Sequence, residues 1–228
     1  MKKFILRLLL TIILIPLCYA IGRSFLNMLV ILTVNTGLNS PWIYFCLGFL
    51  LYFLFHIIFF RPVSIYVFGH ELTHAIAGIV SGAKIKSFIV KKNSGNVTLT
   101  KTNIFITLAP YFIPIYSLII IILYWIIKKF WLNKSDYYEY FLVFLGISVS
   151  FHIFLTIYAI RQGQSDLKIY GFVNSLLIVF IANCLFLSLL FSLFFQIDFI
   201  NFIKNIVKYT AICVLFLYRL VETIFRKF

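Results

Sequence analysis

Two histidines flank a glutamate in the segment FGHELTHAIAG, residues 68–78. His70 and His74 are four residues apart, so on a helix their side chains project from the same face, one turn apart. Two imidazoles at this spacing can bind one zinc ion. Glu71 lies about 100° round the helix and can reach a water on that ion without ligating it. The segment therefore predicts a metal site in which Glu71 takes and returns protons.

Chance is a poor explanation for this pattern. With four histidines and three glutamates among 228 residues, HExxH is expected on the order of once in a thousand such chains. The alternative is that the three side chains are polar groups satisfied between packed helices. Because ionisable groups are expensive inside a membrane and usually functional there, we favour the metal site.

The composition of the chain is that of a membrane protein. Hydrophobic residues make up 63% of it and charged residues 11%, whereas soluble proteins average roughly half and a quarter. The pattern predicts an all-α polytopic membrane protein with about five to seven transmembrane helices. The net charge of +14 comes mostly from Lys and Arg at the ends of apolar runs, which indicates a lipid bilayer as partner and no nucleic acid.

Apolar runs and their breaks place the elements. We interpret residues 4–22 as a membrane anchor rather than a cleaved signal peptide, and residues 24–35 stay unplaced. Further spans are predicted at 42–60, 63–81, 104–127, 138–160 and 169–195. Pro110 and Pro114 are expected to kink the span at 104–127. The tail, 199–228, is predicted to be a basic amphipathic helix or a short final span.

Between the spans at 63–81 and 104–127 the residue types change. Residues 84–101, KIKSFIVKKNSGNVTLTK, are rich in lysine and β-branched residues and predict a small β-hairpin at the membrane surface. Three regions follow: N-terminal membrane helices (1–62), a core with the HExxH helix, the hairpin, two spans and the Asp166 loop (63–172), and a C-terminal membrane helix with a basic tail (173–228).

A catalytic zinc site usually has three protein ligands and one open position. Asp166 follows the span 138–160 and should emerge on the side where the HExxH helix ends. His152, the rival ligand, is about 20 Å from it along a helix and is better explained as hydrogen-bonded between helices. The order of the spans places three other acids on the opposite side: Asp136, Glu139 and Asp198. We therefore predict Asp166 as the third ligand.

The chain contains the segment GHELTHAIAGIVSGAKI, then a hairpin, then APYFIP in a proline-bearing span, and then RQGQSD. This series resembles the M50 family of intramembrane metalloproteases, the site-2 protease group, and within it the small bacterial branch. The resemblance covers roughly residues 63–172, and HExxH is its specific part. It implies Zn²⁺ held by His70, His74 and Asp166, with Glu71 as the general base that activates a zinc-bound water.

The same resemblance implies an endopeptidase whose substrates are single-span proteins or membrane stubs, cut within or next to a transmembrane segment. The hairpin would hold an unwound substrate by strand addition. Thr73 stands where the family commonly has glycine, and its asparagine that stabilises the transition state has no counterpart. Gln162 and Gln164 are the donors available instead.

Two other functions fit parts of the sequence. A catalytically inactive, protease-like scaffold would tolerate the loss of Glu71, and a transporter would need ionisable residues spread through several spans. The resemblance implies a multi-pass protein of the bacterial plasma (inner) membrane. More Lys and Arg residues lie in the loops on the side of the active site than in those on the other side, to which Arg61 is assigned. This excess favours a cytoplasmic location for the active site. Two spans before the HExxH helix would place Lys2, Lys3 and Arg7 outside, so the N-terminal topology stays open. The sequence does not indicate an oligomeric state.

Overall fold

The computed structural model describes residues 2–34, 40–59, 61–130 and 137–226. Its elements are α1 (Lys2–Val34), α2 (Pro41–Ile58), α3 (Val63–Val80), β1 (Ile85–Val90), β2 (Gly95–Leu99), α4 (Ile104–Leu108), a 3₁₀ turn (Ala109–Tyr111), α5 (Ile115–Phe130), α6 (Tyr138–Arg161), α7 (Asp166–Ile169), α8 (Phe172–Phe195) and α9 (Phe199–Phe225). Asp136, one of the acids assigned to the opposite side, lies outside the described residues.

The predicted fold class is confirmed. Within the described ranges, six helices are long and apolar enough to cross a bilayer. The number becomes seven if α4 with its 3₁₀ turn and α5, which are bent by 77° relative to each other, form one broken span. The predicted kink in 104–127 therefore lies where Pro110 and Pro114 interrupt the helix. The protein is thus a multi-pass membrane protein made of helices, with a two-stranded antiparallel sheet.

Contacts group the elements into two compact units. One contains α1, α8 and α9, and the other contains α2 to α6 with the hairpin. The division into 1–62, 63–172 and 173–228 follows function rather than packing and stays a prediction.

In the first unit, α1 is one continuous helix, so the separation of an anchor at 4–22 from an unplaced segment at 24–35 is wrong. Gly22 does not end the helix. A Cβ at Gly22 would lie 3.2 Å from the ring of Phe180, so the glycine serves close packing against α8. The tail that follows α8 is a helix whose Phe199–Arg219 part has the length and apolarity of a span.

Polar side chains join α1 to α8 near their first turns. The Thr11 hydroxyl donates to Asn174 Oδ1 at 2.6 Å, and Asn174 Nδ2 donates to the carbonyl of Arg7 at 3.1 Å. The Arg7 guanidinium donates to the carbonyl of Ile169 at 3.1 Å. Farther along, Phe25 stacks on Phe191. The two helices therefore run parallel and begin at the same end of the unit.

In the second unit, α2 and α6 also run parallel. Gly146 faces the backbone of Phe45, Tyr52 contacts Phe151, and the Arg61 guanidinium lies 5.1 Å from the Tyr158 ring. Arg61 is therefore at the end of α6 that leads to Arg161. Our assignment of Arg61 to the side opposite Arg161 is wrong, because the order of the spans does not show which helices run parallel.

The hairpin packs along α3. Gly82, with a φ of +73°, ends α3 in the left-handed conformation that glycine favours. The chain then forms β1 and β2, which pair with Val90 opposite Gly95 and Phe88 opposite Val97. Strand β2 alternates between half-buried and exposed positions, so one of its faces meets α3. The predicted hairpin at 84–101 is therefore present.

Candidate metal centre

His70, His74 and Asp166 come together in the second unit. One ligand atom from each lies within 4.8 Å of the others, and in the described part of the chain this is the group of His, Cys, Asp and Glu that could hold a metal ion. Both histidines come from α3, one turn apart, and their rings are nearly perpendicular, at 81°. Asp166 is the first residue of α7, the single turn that follows α6. The sequence predicted all three residues of this group.

The distances in this group suit a shared metal ion better than direct hydrogen bonds. Asp166 Oδ2 lies 3.5 Å from His70 Nε2 and 3.3 Å from His74 Nε2. A hydrogen bond between a charged imidazole and a carboxylate is shorter, at about 2.7–2.9 Å. Two ligand atoms of a tetrahedral zinc ion are about 3.3–3.5 Å apart, given bond lengths of about 2.0–2.2 Å. The three side chains therefore fit a tetrahedral ion and leave one position for another ligand.

Nδ1 of each imidazole, the nitrogen that does not face Asp166, already has a hydrogen-bond partner. His74 Nδ1 donates to the carbonyl oxygen of Ile106 at 2.8 Å, and His70 Nδ1 lies 3.1 Å from the hydroxyl of Tyr66. These contacts leave the lone pair of Nε2 on both rings facing Asp166, provided that Nδ1 carries the proton. In metal sites, a hydrogen bond to the nitrogen that does not bind the metal orients the histidine ring.

The carbonyl of Ile106 is available because of a proline. In a continuous helix the N–H of residue 110 would bind it, but Pro110 has no N–H. Helix α4 is capped at its N-terminus by Asn103, whose side chain accepts a hydrogen bond from the Ile106 N–H at 2.8 Å. The helix break predicted from the prolines thus provides the acceptor for His74.

A buried tyrosine supports the acidic ligand. Tyr111 is fully buried, its hydroxyl donates to Asp166 Oδ2 at 3.2 Å, and its ring meets that of His70 edge to face. Burial alone raises the pKa of Asp166, but the imidazoles of His70 and His74 lower it by more, so this pKa lies well below its ordinary value. Asp166 is therefore ionised, which is the form that binds a metal ion.

Glu71 lies outside the ligand group, as the sequence predicted. It is 8% exposed, and its carboxylate is packed against the start of β2. The role of Glu71 in catalysis stays a prediction.

His152 is also outside the ligand group. It lines a cleft on the other side of His70, together with Thr73, Tyr116 and Phe151. The cleft has room for about one ordered water. Gln162 and Gln164, the suggested donors to the transition state, are exposed.

Sequence reasoning missed Tyr66, Asn103 and Tyr111. A signal existed for Tyr66, because Tyr66, His70 and His74 recur every four residues and so share one face of a helix. No comparable spacing links Tyr111 to Asp166, since the contact joins segments that are distant in the chain.

Comparisons with family models, curated proteins and solved structures gave no match to this chain. The function therefore has to be argued from the site itself.

Proposed function

We propose that the metal is zinc and that the protein is a membrane-embedded zinc endopeptidase. The observation that carries the proposal is the group of two imidazoles and one carboxylate, with Glu71 next to a ligand in the chain. Two histidines and a carboxylate with an open position are a common ligand set of hydrolytic zinc sites. When bound, zinc would act as a Lewis acid that polarises the scissile carbonyl and acidifies water.

The chain itself supplies the proton transfers. Glu71 takes a proton from water, whose hydroxyl oxygen bonds to the carbonyl carbon of the peptide. The C–N bond then breaks, and the proton returns from Glu71 to the leaving amine. His70, His74 and Asp166 hold the metal ion, and Tyr66, Tyr111 and the carbonyl of Ile106 keep these ligands oriented.

The proposed substrates are single-span membrane proteins or membrane stubs, cut within or next to their transmembrane segments. The ligands lie on α3, one of the helices able to cross a bilayer, and on the turn that follows α6. We expect a substrate of such a site to enter from the membrane region. The resemblance to the M50 family supports the same class, and with it a bacterial plasma membrane.

We infer that the side reached by the Asp166 turn is cytoplasmic. Within the second unit, Arg61 and Arg161 share one end of the α2–α6 pair. The hairpin region, which packs against α3 next to the ligands, adds five lysines: Lys84, Lys86, Lys91, Lys92 and Lys101. At the far end of α5 the described residues of this unit include Lys128 and Lys129. This excess of positive charge near the Asp166 turn supports a cytoplasmic location.

Metal content tests the first part of the proposal. Full-length protein purified in detergent should contain about one zinc ion per chain, and so should His152→Ala, because His152 is outside the ligand group. Asp166→Ala should lose the ion while eluting as a folded species. A wild type without metal, or loss of zinc from His152→Ala but not from Asp166→Ala, contradicts the proposed site.

Cleavage of model membrane peptides tests the second part. Zinc-loaded protein is reconstituted in vesicles with a set of synthetic single-span peptides, and products are identified by mass spectrometry. We expect cleavage within or beside the apolar segment by the wild type and its loss in Glu71→Gln, with zinc retained. Cleavage that is unaffected by Glu71→Gln, or none by a metal-loaded wild type, argues against the proposed activity.

A further inference from the structure

The carboxylate of Glu71 rests against the backbone of the hairpin. Gly95, the first residue of β2, has no side chain at the point of contact. A Cβ added there would collide with Glu71 Cγ and would lie 2.7 Å from Oε1 and 2.8 Å from Cδ. The three nearest atoms are thus all from Glu71, so the space left by glycine is filled by this one side chain.

A second position on the same strand also contacts Glu71. The backbone N–H of Val97 is directed at the carboxylate and is available to it as a donor. Gly95, Val97 and Leu99 alternate with exposed residues and form the half-buried face of β2. The carboxylate therefore has a backbone donor and a glycine surface on one strand, which together restrict where its oxygens can lie.

A ring contact holds the hairpin at this place. Phe68, one turn before Glu71, meets Phe88 of β1 edge to face, with ring centroids 6.3 Å apart. Phe88 pairs with Val97, and Val90 pairs with Gly95. The contact that fixes β1 against α3 therefore also fixes the position of β2.

We propose that Gly95 and the backbone of Val97 position the Glu71 carboxylate for proton transfer, so that the hairpin completes the catalytic site. Gly95 is a positioning residue in this scheme, because it has no side chain of its own and acts through Glu71. The inference rests on the proposed function.

Gly95→Ala isolates this role. The positive-φ glycines of the described chain are Gly82, Gly163 and Gly171, so alanine at position 95 meets no unfavourable backbone conformation. The added methyl group meets Glu71, and the carboxylate has to turn to another rotamer. The ligands His70, His74 and Asp166 are untouched.

Binding of benzohydroxamic acid measures the position of the carboxylate without a substrate. A hydroxamic acid chelates a metal as its anion, and its O–H proton passes to a neighbouring carboxylate, which then holds the bound molecule by a hydrogen bond. Binding to the Co²⁺-substituted protein is followed by visible absorption. Both Glu71→Gln and Gly95→Ala should weaken binding by about tenfold or more, as expected for loss of a hydrogen bond to a charged group, with Co²⁺ content unchanged.

Gly78→Ala is the matched control. It adds the same methyl group to the same interface between α3 and β2, but its nearest neighbours are side-chain atoms of Leu99. Its affinity for benzohydroxamic acid should stay within about twofold of the wild type.

A double-mutant cycle on stability keeps the test valid if Gly95→Ala folds poorly. Gly95→Ala should lower the unfolding temperature when Glu71 is present and have little effect in a Glu71→Ala background, because the methyl group then occupies the vacated space. Equal effects in both backgrounds overturn the inference, as does wild-type hydroxamate affinity or loss of metal in Gly95→Ala. A wild type that binds no metal, or wild-type hydroxamate affinity in Glu71→Gln, overturns the proposed function instead.

Discussion

His74 Nδ1 lies 2.8 Å from the carbonyl oxygen of Ile106, an acceptor that Pro110 leaves without its helical partner. One ligand of the candidate metal centre is thus oriented by a break in another helix. The same region contains Tyr111, which donates to Asp166. The proline-bearing segment therefore supports ligands from two different parts of the chain.

Pro110→Ala should weaken zinc binding by about tenfold, a typical effect of losing a hydrogen bond that orients a metal ligand. Alanine provides an N–H that can compete with His74 for the carbonyl of Ile106. Zinc affinity is measured by competition with a chelating dye. Pro114→Ala, which leaves this carbonyl alone, should bind zinc as the wild type does; equal effects of the two substitutions would show that only the bend matters.

Tyr66→Phe should also lower zinc affinity by about tenfold, with little change in fold, because His70 loses the hydroxyl that orients its ring. Tyr116→Phe is the control, since its hydroxyl donates to the carbonyl of Ile65 at 2.6 Å and contacts no ligand. The same chelator competition serves for both. Unchanged affinity in Tyr66→Phe would mean that helix geometry alone orients His70.

Asn174→Leu should destabilise the unit of α1, α8 and α9 by about 1–2 kcal/mol, the upper part of the range for hydrogen bonds between membrane helices. Asn174 is 2% exposed, and its loss removes the bonds with Thr11 and with the carbonyl of Arg7. Thermal unfolding in detergent measures the effect. The neighbouring Val173 is 58% exposed, so Val173→Leu should leave the unfolding temperature unchanged.

Gly146→Ala should destabilise the α2–α6 pair by about 2–3 kcal/mol, because the methyl group meets backbone atoms that cannot rotate away. These atoms include Phe49 N, 2.8 Å from an added Cβ. Gly22→Ala provides a comparison, since its methyl group would meet only the edge of the Phe180 ring, and its effect should stay below about 1 kcal/mol. If the unfolding temperatures of both variants fall equally, the backbone contact between α2 and α6 is not decisive.

The fold class could be predicted because a bilayer imposes it. A chain with this much apolar surface and so few charges satisfies its backbone in lipid mainly by forming helices. The ends of apolar runs were less informative. We ended the first apolar run at residue 22, yet α1 continues to Val34, and Gly22 lies within it where the Phe180 ring packs closely. Arg61 was assigned to the wrong side because a sequence shows the length of a helix and not its direction relative to its neighbours.

By itself the sequence determined the pair of candidate ligands and the acid that joins them. The spacing of His70 and His74 follows from the period of the helix, and the scarcity of acids left Asp166 as the best third member. Only the tertiary structure decided how these side chains are held. Tyr66 and the carbonyl of Ile106 contact the imidazoles, Tyr111 donates to the carboxylate of Asp166, and Gly95 packs against Glu71. The reason is physical. Contacts within one helix repeat with a fixed period that can be read along the chain, whereas contacts between helix, proline break and hairpin depend on packing angles that no local pattern specifies.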